Sequence, residues 1–126
     1  MKIVVLKFGG TSVGTIEKIK KVTDIIIEHK KKKNKVIVVS SAMSGVTNDL
    51  IKKSKQISNN FIDSEYDVLV SSGEQVACSL IAGRLNHKGF KSRSWLGWQI
   101  PIFTNGPYTN SRIQQVNKNK LLRFLK

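Results

Sequence analysis

A chain of 126 residues with 22 lysines and arginines against 8 acidic residues carries a formal charge of +14, and 40% of it is hydrophobic. That length accommodates one domain with its own core, and no apolar run approaches the roughly 20 residues needed to cross a bilayer. The single cysteine, Cys78, excludes an internal disulfide and a cysteine-rich zinc site; with no signal-peptide pattern at the N-terminus, a soluble cytoplasmic protein is expected.

The opening stretch, MKIVVLKFGGTS, organises the rest. Ile3-Val4-Val5-Leu6 is a short run rich in β-branched residues and predicts a strand buried on both faces, as in a parallel sheet. Lys7 and Phe8 end it, and Gly9-Gly10 permits a tight turn with close approach of a ligand to the backbone. With a helix following, amide N–H groups and a helix N-terminus gather at a place suited to an anion such as phosphate. Lys7 then balances charge on a phosphoryl group in transfer. The same residues also make sense as a strand end and a packing turn, since neither the Walker A pattern nor GxGxxG is present.

From Thr15 to Lys33 the spacing predicts an amphipathic helix. Ile16, Ile19, Val22 or Thr23, and Ile26 share a face; Thr15 caps the start, and Glu17 and the terminal lysines suit the helix dipole. His29, in the last turn, reads as solvated. Val36 to Val39 is a second apolar strand, and strand, helix, strand in succession predicts parallel pairing through a right-handed crossover. Functional loops in such sheets lie beyond the carboxyl ends of the strands. Ser40 to Asn48, small and rich in hydroxyls, falls there and leads into a helix with Leu50, Ile51, Ser54 and Ile57 on one face.

Gln56 to Ser64 is polar and turn-like. Glu65 to His87 predicts a helix interrupted at Gly73 and closed by Gly89. Glu74 stands among small and apolar residues, either as a solvated helix glutamate or as a partner for a cationic substrate amine. Cys78 reads as a small core residue. Phe90 to Leu96 is expected as a short strand, Ile100 to Thr104 as strand-like despite Pro101, and Asn105-Gly106-Pro107 as a turn. Ser111 to Val116 is a further strand, and Asn117 caps a last amphipathic segment with Leu121, Leu122, Phe124 and Leu125. No linker, repeat or low-complexity tract divides the chain.

The charge excess comes almost wholly from lysine, concentrated in Lys30 to Lys33 with Lys35, in Lys52-Lys53 with Lys55, and in Lys118 and Lys120. A nucleic-acid-binding module is therefore a competing reading. Four arginines in all, and no aromatic residues interleaved with the lysines for base stacking, weigh against it.

Four segments taken together resemble the N-terminal part of aspartate kinases, enzymes of the amino-acid kinase fold: LKFGGTSVG (Leu6–Gly14), VVSSAMSGVTNDLI (Val38–Ile51), VSSGEQVACSLIAGRLNHKG (Val70–Gly89) and SRSWLGWQIPIFT (Ser92–Thr104). The resemblance runs from Met1 to about Leu125. It implies an α/β three-layer αβα sandwich with a mainly parallel sheet, of which residues 1–126 form the N-terminal half of the kinase domain. It also implies phosphoryl transfer from ATP, with Mg²⁺ carried by the nucleotide, to the side-chain carboxylate of L-aspartate. That reaction opens lysine, threonine, methionine and diaminopimelate synthesis.

By position, Lys7 matches the family lysine that neutralises the transferring group, and Phe8, Gly9 and Gly10 match its phosphate-side loop. Ser41 and Thr47 match hydroxyl residues of the aspartate pocket, and Glu74 matches the acid that holds the substrate amine. No resident metal site is implied. Two positions depart from the family pattern: Asn105 stands where an acid is common, and Ser111 where alanine is usual. The family's Arg-Gly-Gly-Ser-Asp segment, nucleotide-base loops and regulatory ACT domains are not in this sequence. The expectations that follow are completion by a separate chain or a homo-oligomer, or a catalytically inactive remnant, with no membrane partner and nucleic acid disfavoured.

Overall fold

The structure, a computed structural model, describes residues 2–125. In chain order the elements are β1 (Ile3–Phe8), α1 (Ile16–Lys31), β2 (Lys35–Ser40), α2 (Val46–Ile57), α3 (Asp63–His87), β3 (Ile102–Asn105), β4 (Arg112–Val116) and α4 (Lys118–Phe124). β1 and β2 pair in parallel, in register from Ile3 opposite Lys35 to Phe8 opposite Ser40. The expected α/β class with a parallel sheet is therefore what forms. β3 and β4 make a separate antiparallel pair, irregular between Phe103 and Thr104.

Side chains alternate along a strand, so Leu6 and Phe8 of β1, with Val36 and Val38 of β2, turn to one face. There they pack on a core built by Ile19, Val22 and Ile26 of α1, Ile81 and Leu85 of α3, and Val13 of the first loop. On the other face Ile3 is 44% exposed, Val5 61% and Val39 50%. Burial of β1 on both faces, the reading of its apolar run, thus holds for one face only. The described residues supply a helical layer on that side alone.

α1 begins where expected, with the Thr15 hydroxyl accepting from Lys18 N at 3.2 Å. Its Thr23 is fully buried. The Thr23 hydroxyl donates to Lys20 O at 2.7 Å and accepts from Arg84 Nε at 2.6 Å, while Arg84 also pairs with Asp24 at 3.1 Å. α1 and α3 are thereby joined by a polar clasp beside their apolar contact. His29 is half-buried rather than solvated, its Nδ1 enclosed with no partner among the described residues.

Three other sequence expectations change. α3 runs unbroken through Gly73. A Cβ there would lie 2.9 Å from Ala42 Cβ and 3.2 Å from Val46 Cγ1, so the glycine permits close helix–loop packing and does not end a helix. Phe90 to Leu96 is not a strand. Ser92 N donates to Asn86 Oδ1 and Ser92 Oγ to Ala82 O, at 3.0 and 2.9 Å, so the end of α3 takes the place of a ladder partner. The apolar face of α2 stops short of Ile57, which is 79% exposed.

Candidate active site

Two loops leave the parallel sheet at its carboxyl end, residues 9–15 after β1 and 41–45 after β2. The ladder continues one step beyond the strands, with Ser41 N donating to Phe8 O at 3.0 Å. In the first loop Ser12 N donates to Gly9 O at 3.0 Å, and Lys18 Nζ reaches back to Thr11 O at 2.9 Å. The loops touch at their small residues. A Cβ on Gly10 would lie 3.1 Å from Ala42 O, and one on Gly14 would lie 2.9 Å from Ser44 Cβ. Gly9 differs: nothing stands within 4 Å of a Cβ built there, so its neighbourhood is open to a ligand.

α3 brings Glu74 to the same place. Gly73 lets the helix approach Ala42, and one residue on, Glu74 Oε1 accepts from Ala42 N at 3.3 Å. The carboxylate is half-buried. Of its two oxygens only Oε1 is engaged among the described residues. Cys78, one turn further along α3, has its thiol pKa pushed up by burial and then by the charge of Glu74.

Lys7 is exposed and takes part in none of the ion pairs among the described residues. Alternation puts it on the open face of the sheet with Ile3 and Val5. Phe8 is different in kind: its side chain packs on the core, and its carbonyl is taken by Ser41 N. Only the backbone of Phe8 therefore borders the loop. Ser41 and Thr47 are half-buried, and neither hydroxyl is hydrogen-bonded among the described residues. The structure thus gathers Gly10, the Ser41–Ala42 corner and Glu74 by direct contact, with Thr47 in the first turn of α2 just beyond.

One feature escaped sequence reading. The N-cap of α2 is Gly45 at φ +82°, which has no side chain to cap the helix. The amides of Thr47 and Asn48 therefore lack side-chain acceptors at an end that favours negative charge. The signal was a Ser-Gly-Val-Thr sequence in which glycine precedes the first helical residue. A separate shallow groove of about 580 Å³ runs between α3 and residues 93–99; Gln75, Arg93 and Gln99 line it, and none of the residues above does.

Among the described residues the chemistry available is an unpaired cation at a strand tip, an open glycine turn, unpaired hydroxyls and amides, and an anchored carboxylate. They lie at the carboxyl edge of the parallel strands, where α/β sheets open their functional crevices. Comparison with known proteins takes this further: the chain matches the amino acid kinase family over residues 2–126 and belongs to it.

Its relatives include the aspartokinase of Geobacillus stearothermophilus, 46% identical over 99% of this chain and 31% of that protein. An aspartate kinase of Stutzerimonas stutzeri is 42% identical over 100% of this chain and 31% of its own length. The chain therefore spans about a third of these relatives. Among solved structures, aspartate kinase from Synechocystis superposes with a TM-score of 0.66 at 42% identity, covering 68% of this chain and 15% of that one. E. coli aspartokinase III, solved with aspartate and ADP in the R-state, gives 0.79 at 20% identity over 99% of this chain and 38% of its own; that likeness speaks for the fold.

Proposed function

We propose that this chain supplies the phosphoryl-transfer edge of an aspartate kinase. ATP and L-aspartate give ADP and 4-phospho-L-aspartate: an oxygen of the side-chain carboxylate bonds to the γ-phosphorus as the bond to the bridging oxygen of ADP breaks. The observation that carries the reading is the junction of Glu74 with the Ser41–Ala42 corner, where Ala42 also meets Gly10. A carboxylate for an amine and a glycine turn for a phosphate are held side by side there by three separate elements.

A carboxylate nucleophile is already ionised at neutral pH, so no general base is required; positioning and charge neutralisation supply the rate. Lys7 takes the charge of the transferring group, and Gly9 and Gly10, with the backbone of Phe8, border the nucleotide phosphates. The Ser41 and Thr47 hydroxyls bind the aspartate carboxylates, and Glu74 binds its ammonium. Among the described residues no three of His, Cys, Asp and Glu converge on one point, and Mg²⁺ enters this reading with the nucleotide. No helix among the described residues is long and apolar enough to cross a membrane. The reaction would open cytoplasmic biosynthesis of lysine, threonine and methionine. Completion by further kinase-domain polypeptide is part of this reading.

The test is ATP-dependent formation of aspartyl hydroxamate, with hydroxylamine trapping the acyl phosphate. The chain is assayed alone and together with the remaining length of the Geobacillus stearothermophilus relative. Product that requires L-aspartate and is lost in Lys7→Ala is expected in at least one case. Its absence in both would make the chain a catalytically inactive remnant.

A further inference from the structure

We propose that Lys18, in the first turn of α1, is a positioning residue of the phosphate-side loop. By tying down the Thr11 carbonyl it keeps the amides of Gly9, Gly10 and Thr11 available to the nucleotide phosphates, and it brings a second cation to the loop. The identity of the ligand rests on the kinase reading; the polarity of the loop is read from its own hydrogen bonds.

Each peptide unit brings one donor and one acceptor, so a loop's bonding shows which of the two it leaves for a ligand. From Phe8 to Thr11 the carbonyls are largely taken: Phe8 O accepts from Ser41 N at 3.0 Å, Gly9 O from Ser12 N at 3.0 Å and Thr11 O from Lys18 Nζ at 2.9 Å. The amides of Gly9, Gly10 and Thr11 donate to no acceptor among the described residues. Successive backbone N–H groups left without acceptors in a turn are what an anion-binding nest is made of. The N-terminus of α1 is not the source of these donors, because the Thr15 hydroxyl caps it by accepting from Lys18 N at 3.2 Å.

Two of the three carbonyl bonds come from the backbone; the third depends on one side chain. It acts on a peptide unit already held at its other end, because the Thr11 carbonyl and the Ser12 amide belong to the same plane. With Lys18 on the oxygen and Gly9 O on the N–H, that unit is fixed at both ends. Glycines leave the preceding turn free to rotate. Loss of the lysine would therefore let the 11–12 unit swing and leave an unpaired carbonyl, the negative end of the peptide dipole, beside the anion.

Charge adds to bonding. Alternation puts Lys7 on the open face of the sheet, whereas α1 packs on the other face, so Lys7 and Lys18 come to the loop from opposite sides. Lys20, the next lysine of α1, is engaged with Glu17 at 2.7 Å. Lys31 lies at the far end of the same helix, roughly 20 Å from Lys18 at ~1.5 Å per residue. That exceeds the screening length of ~8 Å at physiological salt, so Lys31 supplies a lysine of equal charge that cannot act on the loop.

The experiment titrates the chain with sodium tripolyphosphate at about 150 mM NaCl and follows the backbone amide resonances. The signals of Gly9, Gly10 and Thr11 are expected to move together. Lys18→Met, with circular dichroism unchanged, should weaken binding at least ~5-fold, Lys18→Arg should restore it to within about twofold, and Lys31→Met should leave it within about twofold. In the hydroxamate assay Lys18→Met should raise KM for ATP by a similar factor and leave KM for aspartate alone. Shifts spread over the lysine runs and absent from the loop, a Lys18→Met effect no larger than that of Lys31→Met, an arginine variant as weak as the methionine one, or equal rises in both KM values would each overturn the proposal. Lys18-dependent tripolyphosphate binding by a chain that makes no aspartyl hydroxamate would refute the kinase reading and uphold the role of Lys18.

Discussion

Gly73 and Glu74 are neighbours on α3 with different tasks, one admitting the loop and the other binding it. Gly73→Ala gains about 1 kcal/mol in helix propensity. Its new methyl would stand 2.9 Å from Ala42 Cβ, and such overpacking costs roughly 1–3 kcal/mol. A net loss of about 1 kcal/mol is expected, seen as a Tm lower by roughly 3–5 °C; a rise in Tm would show that the loop yields. Glu74→Gln keeps an oxygen for Ala42 N and removes the charge, so it should raise KM for aspartate ~10-fold or more while leaving Tm nearly unchanged. Lys7→Ala should act mainly on kcat, by about 10²–10³; equal losses in kcat and aspartate affinity would assign Lys7 to substrate binding instead. For Cys78 the direction is set by burial and Glu74, which raise its pKa and deplete the thiolate at a given pH. Native chain at pH 8 should therefore alkylate more slowly than urea-unfolded chain, with the difference closing at high pH.

At the scale of elements, local pattern was a good guide wherever a structure depends on its own residues. The β-branched runs at Ile3 and Val36 became strands, three-to-four spacing became α1, and Asn117 caps α4 by accepting from Lys120 N at 3.2 Å. Two of the misreadings, at Gly73 and at Phe90 to Leu96, share a cause, which is that side chains outside the segment decided the outcome. Gly73 looks like a helix break until Ala42 is seen against it. Phe90 to Leu96 looks like a strand until the Asn86 side chain takes its backbone. For the candidate site, residue type alone singled out Lys7, Gly9-Gly10 and Glu74, yet the bond from Ala42 N to Glu74 spans 32 positions and leaves no local trace. The Thr23–Arg84 clasp, 61 residues apart, was equally hidden. Thr23→Val keeps the volume and strands the partly buried Arg84 Nε, which should cost roughly 1–3 kcal/mol. In Thr23→Val/Arg84→Met, with both partners apolar, part of that loss should return in urea denaturation. Equal losses in the single and double variants would mean the clasp contributes through shape alone.

For the whole molecule the dominant fact is charge. Twenty-two lysines and arginines are opposed by 8 carboxylates, which leaves a formal +14, and the ion pairs among the described residues are Lys20–Glu17, Lys52–Asp49 and Arg84–Asp24. The first two are exposed i,i+3 pairs, and such pairs contribute about 0–1 kcal/mol each. Repulsion among the lysines acts over a longer range. At 0.01 M salt the screening length is about 30 Å, twice the radius of gyration of ~14 Å for a compact domain of this size, so every lysine feels every other. At 0.15 M it is ~8 Å, and only neighbours within a run still interact. Adding salt therefore removes more repulsion than attraction. Tm should rise by at least about 2 °C between 10 and 150 mM NaCl, and sodium sulfate at equal ionic strength should match that rise if screening alone is responsible. A fall in Tm would show that the ion pairs outweigh the repulsion and that the lysine runs lie too far apart to oppose folding.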